Sequence, residues 1–134
     1  MLWIDVAFEK DWFYVCVLII GILYGFGGLV HAGNILGFGE QKWLDSPLSW
    51  RLGDIIWGIL DLVAIAGILM RSPIGIWAVV LAAVSQIVVY GLFPNTFALT
   101  DEHRVTLKWM VYFHIVVLVI VSGLIYMAGV RNGP

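Results

Sequence analysis

Four times along the chain the residues stay apolar for about twenty positions, the length a helix needs to cross a bilayer. The runs are roughly 12–35, 52–70, 74–93 and 105–128. None alternates polar with apolar as a barrel strand would. Inside lipid, only a helix satisfies every backbone group within one such segment. The pattern therefore predicts an all-α fold, an integral membrane four-helix transmembrane bundle that forms a single domain over 1–134. Ahead of it, residues 1–11 (MLWIDVAFEKD) read as a short amphipathic segment on the membrane surface, with Leu2, Trp3, Val6 and Phe8 as its apolar members.

The connections set the topology. Spans two and three are joined through Arg71, Ser72 and Pro73, and proline is well suited to the first turn of a helix. These two spans are expected to be antiparallel neighbours. The first connection (36–51) and the third (94–103) are longer. Because four spans alternate in direction, both long connections fall on one membrane face, the loop face, with the termini on the other. The basic residues divide between the two: Lys10, Arg71 and Arg131 on the terminal face, Lys42, Arg51, Arg104 and Lys108 on the loop face. The positive-inside rule gives no clear majority. The terminal-face cations sit close to the helix ends, which leans the termini towards the cytoplasm of a bacterial inner membrane. Trp3, Trp12, Trp43, Trp50 and Tyr126 read as interfacial aromatics. A cleavage-like Val30, His31, Ala32 follows the first apolar run. The acidic start (Asp5, Glu9 and Asp11 against Lys10) is wrong for a signal peptide, so that run is read as a retained helix.

Composition agrees with lipid as the solvent. The chain is 62% hydrophobic and 12% charged, with a mean hydropathy of +1.00; soluble domains carry about a quarter charged residues. The net charge of −2 and the lack of a basic patch give nucleic-acid binding no support. Cys16, the single cysteine, reads as a packing residue, and no Cys/His cluster points to a metal.

Against this background the ionisable residues of the spans carry the chemistry. Asp54 and Asp61, two helical turns apart, define one polar stripe on the second span. Such residues normally turn inward to partners. Counted inward from the loop face, Asp61, Gln86, His114 and Tyr24 fall at roughly 10 to 16 Å, one from each helix, as a polar inter-helix layer. A second layer nearer the loop face collects His31, Asn34, Arg51, Asp54, Tyr90 and Lys108 as a loop-face pocket. Within it, Asp54 is expected to pair with Arg51 or Lys108. Two readings of the deeper layer stand side by side: hydrogen-bonded glue between helices, or a site for a ligand or proton. His31 lies among Gly27, Gly28 and Gly33, where a backbone or a flat ligand can come close. His103, beside Asp101, Glu102 and Arg104, reads as part of a solvated charged cluster. Gly21, Gly25 and Gly28 form a smooth helix-packing face, suited to a neighbour in the same chain or to another subunit.

Several reaction classes find no motif. There is no nucleophile elbow with a matching serine, no phosphate-binding glycine loop and no closely spaced set of metal ligands. His31 and His114 differ in depth by about 7 Å, which disfavours a shared haem. No catalytic residue is assigned. The ordered segments YGFGGLVHAGN (24–34), RLGDIIWGILDLVAIAGIL (51–69) and YGLFP (90–94) resemble the DoxX-like group of small four-helix membrane proteins over most of 12–128. That resemblance implies a membrane partner of redox enzymes, including quinone-linked ones. The expected function is a small accessory or anchor subunit of a larger membrane complex, with a quinone or lipid headgroup reaching the loop-face pocket near His31, Asp54 and Tyr90. Its expected partners are membrane lipid and other integral membrane subunits, or a second copy of itself. The rival is a small proton-coupled carrier or channel using Asp61 and His114.

Overall fold

The computed structural model describes residues 3–39 and 42–130. Four long helices dominate it: α2 (Asp11–Ile35), α3 (Leu48–Leu69), α4 (Pro73–Leu92) and α6 (Asp101–Val130). All four are long and apolar enough to cross a membrane. Two short helices, α1 (Trp3–Phe8) and α5 (Pro94–Phe97), and a 3-10 turn at Trp43–Asp45 complete the description. The expected four-helix transmembrane bundle is the observed architecture.

Two spans begin earlier than their apolar runs suggest, and local chemistry explains both. Pro47 sets its φ at −52°, and its carbonyl accepts the amides of Trp50 and Arg51 at 3.0 and 3.2 Å. The helix therefore starts at Leu48 instead of about 52. At the fourth span, Thr100 Oγ1 accepts from the His103 amide at 3.2 Å. Asp101 and Glu102 occupy the first turn of α6, where acidic side chains complement the helix dipole. The third span starts as expected, with Ser72 Oγ accepting from the Ile74 amide ahead of Pro73.

The α3–α4 hairpin is very close. A Cβ added to Gly67 would lie 2.5 Å from the Gly75 amide nitrogen. The turn passes through Arg71, whose φ of 52° is left-handed. Its amide and that of Ser72 bond back to Ile68 and Gly67, which closes the helix end.

The glycine face of α2 packs inside the chain. Added Cβ atoms at Gly21 and Gly25 would press on Ile68 and Ile65 of α3, and one at Gly28 on Asp61 and Leu62. The α2–α3 pair is the most extensively packed, followed by α3–α4 and α4–α6. The first and last spans are packed sparsely and are bridged by the Tyr24 hydroxyl, 3.0 Å from His114 Nδ1.

The N-terminal segment forms a short helix that buries Ile4, Ala7 and Phe8 against the main core. Phe8 meets Phe13 edge-on at 5.5 Å. A polar clamp holds the segment at the terminal face. Arg71 Nη1 donates to the Phe8 carbonyl at 3.0 Å, its guanidinium lies 4.1 Å from the Tyr14 ring centroid, and Lys10 Nζ donates to the Ala128 carbonyl at 2.8 Å. Cys16 packs against the same core. Trp12 also packs there, while Tyr126 is exposed at its helix end. Leu2, Arg131 and the side chains of Trp3 and Val6 lie outside the described residues.

Candidate functional site

The two long connections meet on one face, as alternation requires, and close over the bundle there. Ser49 Oγ lies 3.4 Å from the Thr96 carbonyl, and the Trp50 and His103 rings are 5.3 Å apart. Beneath them is a cavity of about 380 Å³, whose lining includes Trp43, Trp50, Trp57, Tyr90, Phe97 and His103. Trp57 is its centre. Its ring centroid is 5.0 Å from Tyr90 and 5.9 Å from Phe97. Gly53, one turn earlier, leaves room for the indole, because a Cβ there would touch it. The indole N–H donates to Ser85 Oγ at 3.1 Å, and Ser85 passes its own hydrogen to the Ala82 carbonyl.

Asp54 stands at the wall of this cavity. Its Oδ1 lies 2.9 Å from His31 Nδ1 and accepts from Asn34 Nδ2 at 3.0 Å, while Oδ2 accepts from Trp43 Nε1 at 3.1 Å. His31, Asn34, Asp54 and Tyr90 therefore do come together as the expected loop-face pocket. Two expected members do not. Among the described residues, Asp54 takes no ion pair from Arg51 or Lys108. Arg51 instead lies 5.9 Å from the Trp43 ring centroid, and Lys108 is exposed on the far side of α6. Both Asp54 oxygens are taken instead by His31 and Asn34 on α2 and by the Trp43 indole in the 3-10 turn.

A second cavity, about 330 Å³, sits deeper and is walled in part by Tyr24, Gly27, Asp61, Gln86 and His114. The four expected layer residues each lie at 4% exposure or less, so the chain does bring them together. Their bonding is uneven. The Tyr24 hydroxyl and His114 Nδ1 are 3.0 Å apart. Asp61 has no hydrogen bond: its Oδ1 is buried without a partner, and Oδ2 is 4.0 Å from His31 Nε2. Gln86 also makes no hydrogen bond among the described residues. A glue role calls for mutual hydrogen bonds, and at Asp61 there are none. Gly27 makes this arrangement fit, since a Cβ there would lie 2.6 Å from Asp61 Oδ2.

His31 joins the two cavities, lining both along with Thr106 and Met110. It touches Asp54 through one ring nitrogen and faces Asp61 through the other. The deeper cavity also reaches Leu23 on α2 and Trp109 and Phe113 on α6. Trp109 is 69% exposed, so the lining of this cavity reaches the outer surface of the bundle.

Several contributors were missed from the sequence. Trp43 and Trp50 are turned into the upper cavity instead of serving only as interface anchors. His103 is half-buried against Trp50 and lines that cavity, not a solvated cluster. Trp57, Ser85 and Phe97 had no sequence signal beyond being aromatic or polar. For His103 the signal was present: Thr100 followed by two acids caps a helix, and that fixes which way the next residue points. Among the described residues, no group of three His, Cys, Asp or Glu side chains is placed to hold a metal.

Comparison with known proteins identifies no relative: no protein family, no curated protein and no solved structure matches this chain.

Proposed function

We propose that this chain is a small accessory or anchor subunit of a larger membrane complex of redox type, and that its deeper cavity takes a quinone headgroup from lipid. The observation that carries the reading is that the lining of that cavity runs from the partnerless Asp61 Oδ1 to Trp109, which is exposed on the outside of α6. A quinone carries two carbonyl acceptors on a flat ring and an apolar tail. The Gln86 amide is a free donor for one carbonyl, Tyr24 and Phe113 flank the ring, and the tail stays among acyl chains. Pockets of this size and mixed lining suit such ligands. The DoxX-like resemblance supports the redox setting, and the cations near the helix ends of the terminal face support a bacterial inner membrane with cytoplasmic termini.

The test is purification from native membranes in mild detergent, followed by mass spectrometry of co-purifying proteins and extracted quinones. The expected result is a larger redox partner and retained quinone that Gln86→Leu loses. A chain that leaves the membrane alone and quinone-free overturns the proposal.

One observation favours a second reading, a proton-coupled carrier or channel. Asp61 is a buried carboxylate with an unpartnered oxygen, and ionisable residues inside membranes mark ion or proton paths. The histidine that faces it is His31, at 4.0 Å, while His114 is engaged with Tyr24. Reconstituted into vesicles alone, a carrier moves solute against a proton gradient and loses that flux in Asp61→Asn, whereas an accessory subunit moves none.

A further inference from the structure

The upper cavity has features that a neutral ligand does not explain. Its walls present five aromatic rings, those of Trp43, Trp50, Trp57, Tyr90 and Phe97. Asp54 lines it, and Asp61 lies just below, across His31. Neither cavity is lined by a lysine or arginine. Of the cations on this face, Lys42 and Lys108 are exposed, and Arg104 lies 3.8 Å from Asp101. Arg51 lies outside the cavity, already drawn to the Trp43 ring. Asp54 lines the cavity and Asp61 lies below it; the basic groups nearest to them are His31, which bonds Asp54, and Arg51, which lies on the Trp43 ring. His103, half-buried against Trp50, also lines the upper cavity. Taking charges out of water without a counter-charge is costly. Aromatic faces and a negative field together recognise an organic cation, above all a quaternary ammonium.

We infer that the loop-face cavity binds an organic cation with a quaternary ammonium head, held among Trp43, Trp50, Trp57, Tyr90 and Phe97 in the field of Asp54 and Asp61. The cation enters from the aqueous side, between the two long connections. This does not rest on the quinone reading, which concerns the deeper cavity. A trimethylammonium group reaches such a site either as a free solute or as the headgroup of a choline lipid; the chemistry is the same.

The test titrates the full chain in dodecyl maltoside with choline and with 3,3-dimethylbutanol, its uncharged carbon isostere, following tryptophan fluorescence. Choline is expected to bind at least about tenfold more tightly than the isostere, the scale of a desolvated cation–aromatic contact. Asp54→Asn is expected to abolish that preference. Because Asp54 also holds three donors, Asp61→Asn serves as the second variant: it breaks no hydrogen bond and is expected to weaken choline severalfold while leaving the isostere unaffected. Nanodiscs of phosphatidylcholine and of phosphatidylglycerol identify the source. Loss of choline binding only in phosphatidylcholine assigns the site to a lipid headgroup, and equal binding in both assigns it to a free cation. Equal affinity for choline and its isostere, or binding of neither, overturns the inference.

Discussion

At Asp54 three donors converge on one carboxylate, from α2 and from the first long connection. Asp54→Ala leaves His31, Asn34 and the Trp43 indole without their acceptor. Each stranded buried donor costs about 1 kcal/mol or more, so the variant is expected to lose about 3 kcal/mol of stability in a detergent unfolding titration. Asp61 is the opposite case. It is buried yet has no hydrogen bond among the described residues to lose, so Asp61→Asn is expected to leave stability unchanged or raised, because a buried carboxyl without a partner opposes folding. The same titration checks both. If Asp61→Asn destabilises as much as Asp54→Ala, Asp61 is helix glue and the functional readings built on it fail.

Among the elements, the α3–α4 hairpin and the N-terminal clamp make the sharpest contrast with freely exposed helix faces. Gly75 touches the backbone of Gly67 and Ile68, where nothing flexible can move aside. Gly75→Ala is therefore expected to cost about 2 to 3 kcal/mol through forced separation of the helices. Gly123, in the middle of α6, has no atom within 4 Å of an added Cβ, so Gly123→Ala is expected to stabilise by about 0.5 to 1 kcal/mol through helix propensity. Reversible unfolding of the two variants side by side measures the difference. At the terminal face, Arg71 ties α1 to the bundle by one charged hydrogen bond to the Phe8 carbonyl. Removing it in Arg71→Ala is expected to speed amide exchange over 3–8 by roughly tenfold, the equivalent of about 1.4 kcal/mol. Unaltered exchange there means the buried Ile4, Ala7 and Phe8 hold the segment unaided.

On the scale of the whole molecule, the decisive feature is the sparse packing between α2 and α6. The lining of the deep cavity includes Trp109, which is exposed on the outside of α6. A single-tryptophan variant retaining Trp109 is expected to be strongly quenched by brominated acyl chains, and one retaining Trp57, buried at 5% exposure, to be protected from them. Protection of Trp109 in the native chain signals a partner or second copy covering it. His31 lines both the upper and the deeper cavity and so stands between them.

The amino-acid pattern by itself determined the spans, the hairpin, the common face of the long connections and the depth at which Tyr24, Asp61, Gln86 and His114 gather. These follow from run length, alternation of direction and the fixed rise of a helix, all properties of local sequence. Three things were decided only in the tertiary structure: which donor reaches which carboxylate, where the aromatic side chains of the connections point, and which helices pack sparsely. Periodicity gives the face of a helix but not the rotation of its neighbour. Asp54 therefore met His31, Asn34 and Trp43 in place of Arg51 or Lys108, and α1 folded into the core because Arg71 and Lys10 found backbone carbonyls distant in the chain. Hydrogen bonds and close packing act over a few ångströms, and such proximity exists only once the helices have docked.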